Sequence, residues 1–199
     1  MKFAKQFALG TALILACTVG IANAKKSQKG GAAPAFDKGS KTIGIFLGAG
    51  VDYAYGYDHF NDATRSFLPI IGVYYDQGII GNVGPGTIGI GGVIAYKGDH
   101  RRYNDDTYDY NSIMVAVRGT YHLTILKNKN NKFDPYGGVT VGIRSSSFKD
   151  SYDSHTYSTV DPIAGLFIGA KYNFTPGIGA FAEVGYDISL VRLGINFNF

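Results

Sequence analysis

The sequence predicts an all-β chain, an eight-stranded antiparallel up-and-down transmembrane β-barrel. Three observations predict it. Hydropathy alternates with a period of two over eight consecutive segments. The face opposite the apolar one is rich in glycine. The aromatic residues fall at two levels along the segments. Composition agrees with this. The 199 residues are 45% hydrophobic and 17% charged, with 28 glycines, 15 tyrosines, 13 phenylalanines and no tryptophan. A disordered chain would carry more charge and fewer aromatics. Glycine does not recur at every third position, which excludes collagen. The one cysteine cannot form a disulfide within the chain. A formal net charge of +4 is too small to indicate a nucleic-acid partner.

Residues 1–24 read as a secretory signal peptide. Lys2 and Lys5 give a positive start, residues 7–16 are apolar, and Ala22-Asn23-Ala24 is a small-residue cleavage site. The stretch Ile14-Leu15-Ala16-Cys17 resembles a bacterial lipobox, so lipidation of Cys17 is the competing reading. Cleavage after Ala24 would leave a chain without cysteine, and so without thiol chemistry. Residues 25–40 are small, polar and basic with no apolar period, which predicts a flexible linker. No later apolar run reaches the ~18 residues of a transmembrane helix.

From residue 41 to the end the segments alternate. In residues 41–53, Ile43, Ile45, Leu47, Val51 and Tyr53 oppose Thr42, Gly44, Gly48, Gly50 and Asp52. Residues 66–76 place Phe67, Pro69, Ile71, Val73 and Tyr75 on one face, with Leu68 and Ile70 blurring the other. Residues 87–97 set Ile88, Ile90, Ile94 and Tyr96 against Gly89, Gly91, Ala95 and Lys97. Residues 112–123 set Ile113, Val115, Val117 and Tyr121 against Ser112, Arg118, Thr120 and His122. Residues 136–146 oppose Val139, Val141 and Ile143 to Gly138, Gly142 and Arg144. Residues 163–172 oppose Leu166, Ile168 and Tyr172 to Gly165, Gly169 and Lys171. Residues 178–188 oppose Ile178, Val184 and Tyr186 to Gly179, Glu183 and Gly185. In residues 190–199 the odd positions Val191, Leu193, Ile195, Phe197 and Phe199 oppose Arg192, Gly194, Asn196 and Asn198.

Each segment has the roughly ten residues that a tilted strand needs to cross a bilayer. Glycine weakens strands, so a soluble sheet has no cause to prefer it. A narrow barrel has one, because its interior is just wide enough for side chains. The apolar face then meets lipid and the glycine-polar face the lumen, which averages to the observed mean hydropathy of zero. Tyr53, Phe67, Tyr96 and Tyr186 fall near one rim of the lipid face, and Tyr75, Tyr121, Tyr172 and Phe197 near the other. Two such aromatic girdles are expected of membrane barrels.

The eight alternating segments, the stretches DPYGGVTVGI and GAFAEVGYDISLVRLGINFNF and the terminal Phe199 resemble the small bacterial outer-membrane β-barrels of the OmpA/OmpX-like, "porin-family" type. The resemblance implies residence in a Gram-negative outer membrane, contact with its lipids and lipopolysaccharide, and Phe199 as the signal read by the barrel-assembly machinery. The family departs from this chain in one respect. Its periplasmic turns are short, whereas residues 77–85 and 124–132 read as long ones.

The inward charges Asp52, Asp76, Lys97, Arg118, Arg144, Lys171, Glu183 and Arg192 are the candidate chemistry. Asp52, Arg118, Arg144, Glu183 and Arg192 predict a polar lumen network, because an isolated buried charge is very costly. Glu183 and Arg192 face each other across a tight turn near Asp187, which predicts a salt bridge. The functional alternative is a selective pore lining. The run from Gly84 through Gly86 to Gly89 spells G-x-G-x-x-G, but a strand follows where a nucleotide site needs a helix. His59, His100, His122 and His155 show no metal-ligand spacing, and His122 has no obvious partner. The sequence implies no cofactor and no metal. Residues 55–65, 98–109 and 149–157 read as outer loops rich in Tyr, Asp, Asn and Ser, a binding-surface composition. The reading is a non-enzymatic structural or surface-interaction protein with an unidentified extracellular ligand. A narrow porin-like channel and a lipid-modifying enzyme are the alternatives.

Overall fold

The computed structural model describes residues 36–50, 64–67, 69–103, 106–124, 132–150 and 156–199; for 64–67, 99–103, 106–109, 148–150 and 156–157 it describes backbone alone. The expected leader, residues 25–35 of the expected linker, Cys17, Asp52, Tyr53, His59 and His155 lie outside the described residues, as do the side chains of Phe67 and His100.

The described strands are β1 Lys41–Ala49, β2 Thr64–Phe67, β3 Ile70–Val83, β4 Gly86–Tyr103, β5 Asp106–Leu123, β6 Phe133–Asp150, β7 Thr156–Asn173, β8 Ile178–Tyr186 and β9 Val191–Asn198. All pairings are antiparallel. Both β2 and β3 pair with β4, so they are two pieces of one barrel strand, with Pro69 between them. Proline lacks the N–H that an unbroken ladder needs. The remaining strands pair with their sequence neighbours, and β1 closes the ring against β9. The result is the expected eight-stranded closed barrel. Closure leaves no sheet edge to lipid, which is why strands can cross a bilayer at all.

Burial follows the pleat. In β1 Thr42, Gly44, Phe46 and Gly48 are buried while Ile45 and Leu47 are exposed. The outer surface is an apolar belt, including Leu47, Ile94, Val117, Val141, Ile168 and Leu193. The buried side carries the charges. A soluble barrel would have these faces reversed. Val141, in mid-strand, is 62% exposed. Val141→Arg should therefore destabilise the barrel by about 2–4 kcal/mol in bilayers, the cost of a cationic side chain at the midplane. Urea titration in vesicles reads this, and an unchanged midpoint would deny that this face meets lipid.

One end of the barrel carries Lys41 and Phe199 and is called the near rim. At this end the structure shortens an expected turn. Residues 77–83 continue β3, and only Gly84 and Pro85 form the turn into β4. Gly84 has φ +56°, the conformation a two-residue hairpin asks of its first central position. Register shifts beside Ile80, together with Asn82 at φ 58°, bend the strand there. The G-x-G-x-x-G run is thus a hairpin followed by a strand. At the far rim the strands run further than their alternation suggests. β4 does not end at Lys97, because the β4–β5 ladder continues to Tyr103↔Asp106. Residues 98–103 and 106–109 are a paired hairpin, not a loop. The β6–β7 ladder similarly reaches Lys149↔Thr156. Polar, turn-rich composition hid these strands; their backbone groups are satisfied by neighbours rather than by solvent. By contrast β8 ends at Tyr186, and residues 187–190 bend so that Ile188 is buried in the far end of the lumen.

Residues 36–40 are not linker. Asp37 and Ser40 close a turn, with Ser40 N–H donating to Asp37 O at 3.0 Å and Gly39 at φ +88°. That positive φ at the third position is the requirement of a type II turn.

Candidate functional site

Register explains the glycine. Inward aromatic residues stand directly across the ladder from inward glycines. Tyr74 opposes Gly44, and Phe46 lies between Gly72 and Gly194. Phe167 lies between Gly138 and Gly185, and Tyr136 opposes Gly169. A Cβ built at Gly44 would collide with the Tyr74 ring, and one at Gly72 with Phe46. The rings therefore lie flat over glycine backbone and fill the bore.

Charged side chains sit among these rings at two levels. The central level joins four strands and the β8–β9 turn. Glu183 and Arg192 are register partners on β8 and β9, and Arg192 Nε lies 2.7 Å from Glu183 Oε2. Across the lumen, Arg118 on β5 donates from Nη2 to Glu183 Oε1 at 2.6 Å, and Tyr136 donates its hydroxyl to the same oxygen at 2.6 Å. Arg192 also donates to Asp187 Oδ2 at 3.1 Å, and Thr140 donates to it at 2.7 Å. Arg118 lies over Phe167 and Tyr74, 4.3 and 4.5 Å from their centroids. Two guanidinium groups thus meet two carboxylates, and the quartet is formally neutral. Buried charge is tolerable in that arrangement because each ion keeps an opposite partner.

The second level lies nearer the near rim. His122 on β5 has Nδ1 2.9 Å from Asp134 on β6 and Nε2 3.2 Å from Asp76 on β3. Thr120 donates its hydroxyl to Asp76 at 3.0 Å. The His122 ring is stacked between Phe36, with centroids 3.7 Å apart, and Tyr136, at 4.9 Å. Lys171 on β7 is buried, with its ammonium 4.9 Å from the Phe36 centroid and 5.0 Å from that of Tyr136.

The sequence-predicted residues divide accordingly. Arg118, Glu183 and Arg192 come together. Arg144 is buried on β6 but farther toward the far rim, where it lines a cavity of about 20 Å³ with Lys97, Tyr110 and Ser112. Asp187, which reads as a turn residue, belongs to the central network. Parity could have found it, since Glu183, Gly185 and Asp187 alternate. The partners of His122 carried no such signal, because Asp76 lies 46 residues away and Asp134 on a different strand. Among the aromatics, Tyr96 and Tyr186 are exposed toward the far rim, with Tyr96 donating to Asn111 Oδ1 at 2.5 Å. Tyr75, Tyr121 and Tyr172 lie toward the near rim, where Tyr121 donates to Val83 O at 2.8 Å. Phe197 lies beside Ile43 and Ile178 at the same end. At this rim Asn198 donates to Asn173 Oδ1 at 2.9 Å, and Thr42 donates to Asn198 Oδ1 at 3.0 Å. Among the described residues no group of three or more His, Cys, Asp or Glu is placed to hold a metal.

No family model and no curated protein matches the sequence. Solved structures do match. The outer membrane protein OprG from Pseudomonas aeruginosa is 13% identical with a TM-score of 0.50, covering 83% of this chain and 98% of that one. Ail, the attachment invasion locus protein of Yersinia pestis, is 16% identical with a TM-score of 0.48, over 81% and 99%. The N-terminal β-barrel domain of Pseudomonas aeruginosa OprF is 14% identical with a TM-score of 0.46, over 82% and 99%.

Proposed function

We propose that this chain, which has the fold of the small outer-membrane eight-stranded β-barrels, is a non-enzymatic integral protein of a bacterial outer membrane whose barrel anchors a polar surface structure. The near rim, where Lys41 and Phe199 meet, then faces the periplasm, and the far rim faces outward. The observation that carries the reading is the filled centre of the lumen. Arg118, Glu183, Arg192 and Asp187 bridge it at ion-pair distances with rings packed around them. Two cavities among the described residues, about 20 and 40 Å³, lie at opposite ends of the barrel. Each has room for a water or two and not for a solute.

The outward part is built by strands that overshoot. β4 to β7 are 18 residues each while β8 and β9 have 9 and 8. The excess forms a polar sheet standing beyond the apolar belt on one side. Its sequence, with Arg101, Arg102, Tyr103, Asp106 and Tyr108, supports contact with an extracellular ligand or with lipopolysaccharide. The outward aromatics at the two rims act as interfacial girdles, and Phe199 acts as the assembly signal. Refolded protein in planar bilayers should show no steady open state. Steady conductance that changes in Glu183→Gln would overturn the anchor in favour of a channel. The lipid A mass spectrum should be the same with and without expression; a changed acyl pattern would establish the lipid-modifying enzyme instead.

A further inference from the structure

Phe36 precedes the barrel, yet it is 5% exposed. The residues after it explain how it is held. The turn of residues 37–40 continues the β1 edge onto β3. Gly39 N–H donates to Gly78 O at 2.8 Å, and Gly78 N–H donates to Ser40 O at 2.9 Å. Ser40 Oγ accepts from Asp37 N–H at 2.9 Å and pins the turn. Phe36 is thereby turned into the mouth of the lumen.

The barrel wall is cut to receive it. Gly78 and Gly89 are register partners on β3 and β4. A Cβ at Gly78 would collide with Asp37 O, and one at Gly89 would stand 3.2 Å from the Phe36 ring. Any other residue at this pair would press on the segment. The floor of the slot is the His122 ring, nearly parallel to Phe36 at 16°.

The charge pattern beneath Phe36 fixes the ring on which it stacks. Both His122 nitrogens face carboxylate oxygens, and an ionised carboxylate only accepts hydrogen bonds. Both contacts are hydrogen bonds only when the ring carries two protons. The charged groups around the ring are Asp76 from β3, Asp134 from β6 and Lys171 from β7. Arg118 lies on the same strand and is matched by Glu183 of β8. His122, Asp76, Asp134 and Lys171 thus form a buried polar quartet beneath Phe36. Replacing the ring would remove both the partner of the two carboxylates and the surface under Phe36.

We infer that residues 36–40 are an intramolecular plug of the near rim, that Phe36 is its anchor, and that the His122 ring, held between Asp76 and Asp134, is the surface on which it docks. Without that ring beneath Phe36 the plug loosens. Phe36 belongs to no catalytic or pore function in this scheme; it closes the mouth and shields the quartet from water.

The chain has no tryptophan, so Phe36→Trp provides a unique fluorophore in the refolded full barrel. Excitation at the red edge, where tyrosine does not absorb, isolates it. Docked against the His122 ring, its emission should be blue-shifted and shielded from acrylamide. In the Phe36→Trp/His122→Gln double variant the emission should move to the red and quench more readily, because the stacking surface is gone. Red emission from a Phe36→Trp barrel that still shows the heat-modifiable gel shift would overturn the plug. Blue, shielded emission that survives His122→Gln would overturn the role of His122. Phe36→Leu guards against a misfit of the larger ring. Its loss of stability against the parent should shrink in the His122→Gln background, and strict additivity of the two changes would also overturn the role of His122.

Discussion

Glu183→Ala should destabilise the barrel more than any other single lumen change, by about 3–5 kcal/mol, the range for removing one partner of a buried ion pair. Glu183 is 1% exposed. One of its oxygens takes Arg118 and Tyr136, and the other lies against Arg192. Alanine would leave two guanidinium groups facing each other in the bore with Asp187 as their remaining carboxylate. The loss is an uncompensated charge rather than a missing attraction. A second replacement separates the two. Glu183→Ala with Arg118→Met should recover a large part of the stability, because a charge and its counter-charge leave together. Urea unfolding of refolded protein, followed by gel mobility, reads both variants. A double variant no better than the single would show that Glu183 matters by packing and not by charge.

Gly44→Ala is the second large effect, although it adds one methyl group. The three nearest atoms to the new Cβ all belong to the Tyr74 ring. That ring cannot retreat freely, since Arg118 lies over one part of it and Phe181 meets it edge-on at 5.0 Å. Overpacking of this kind costs about 1–3 kcal/mol. Tyr74→Leu frees the space, so the pair of changes should cost less than the sum of the two, with a coupling of about 0.5–3 kcal/mol. Gly119→Ala is the control. It faces outward with a methyl of Val139 at 3.6 Å, an ordinary contact, and should stay within about 0.5 kcal/mol of the parent. Strict additivity of Gly44→Ala and Tyr74→Leu would reject the ring-on-glycine packing.

These two variants mark what could be read in advance. Glu183 and Arg192 are separated by a short turn, so a hairpin places them opposite each other once alternation is recognised. Arg118 is 65 residues from Glu183 in the chain, and nothing local joins them. The same holds for Gly44 and Tyr74. Their glycine and aromatic characters were visible, but their facing required the β1–β3 register. The far-rim hairpins were missed for a different reason. A run such as GDHRRYNDDTYD has turn-forming composition, and only the β2–β4 and β4–β5 pairings make its residues 98–103 and 106–109 strand. Phe36 was missed because a short polar segment has no periodicity to reveal a buried anchor.

What the sequence determined by itself is the alternation and the two solvents it serves: an apolar face for lipid and a glycine-polar face for a narrow lumen. That is a local property, since successive side chains of an extended backbone point to opposite sides. The tertiary structure alone decided which residues meet across the bore: two buried charged clusters, rings laid over glycines, and a segment before the first strand folded into the near rim. Those contacts depend on the register of every strand at once. Closing the ring sets that register cooperatively, and no single segment encodes it.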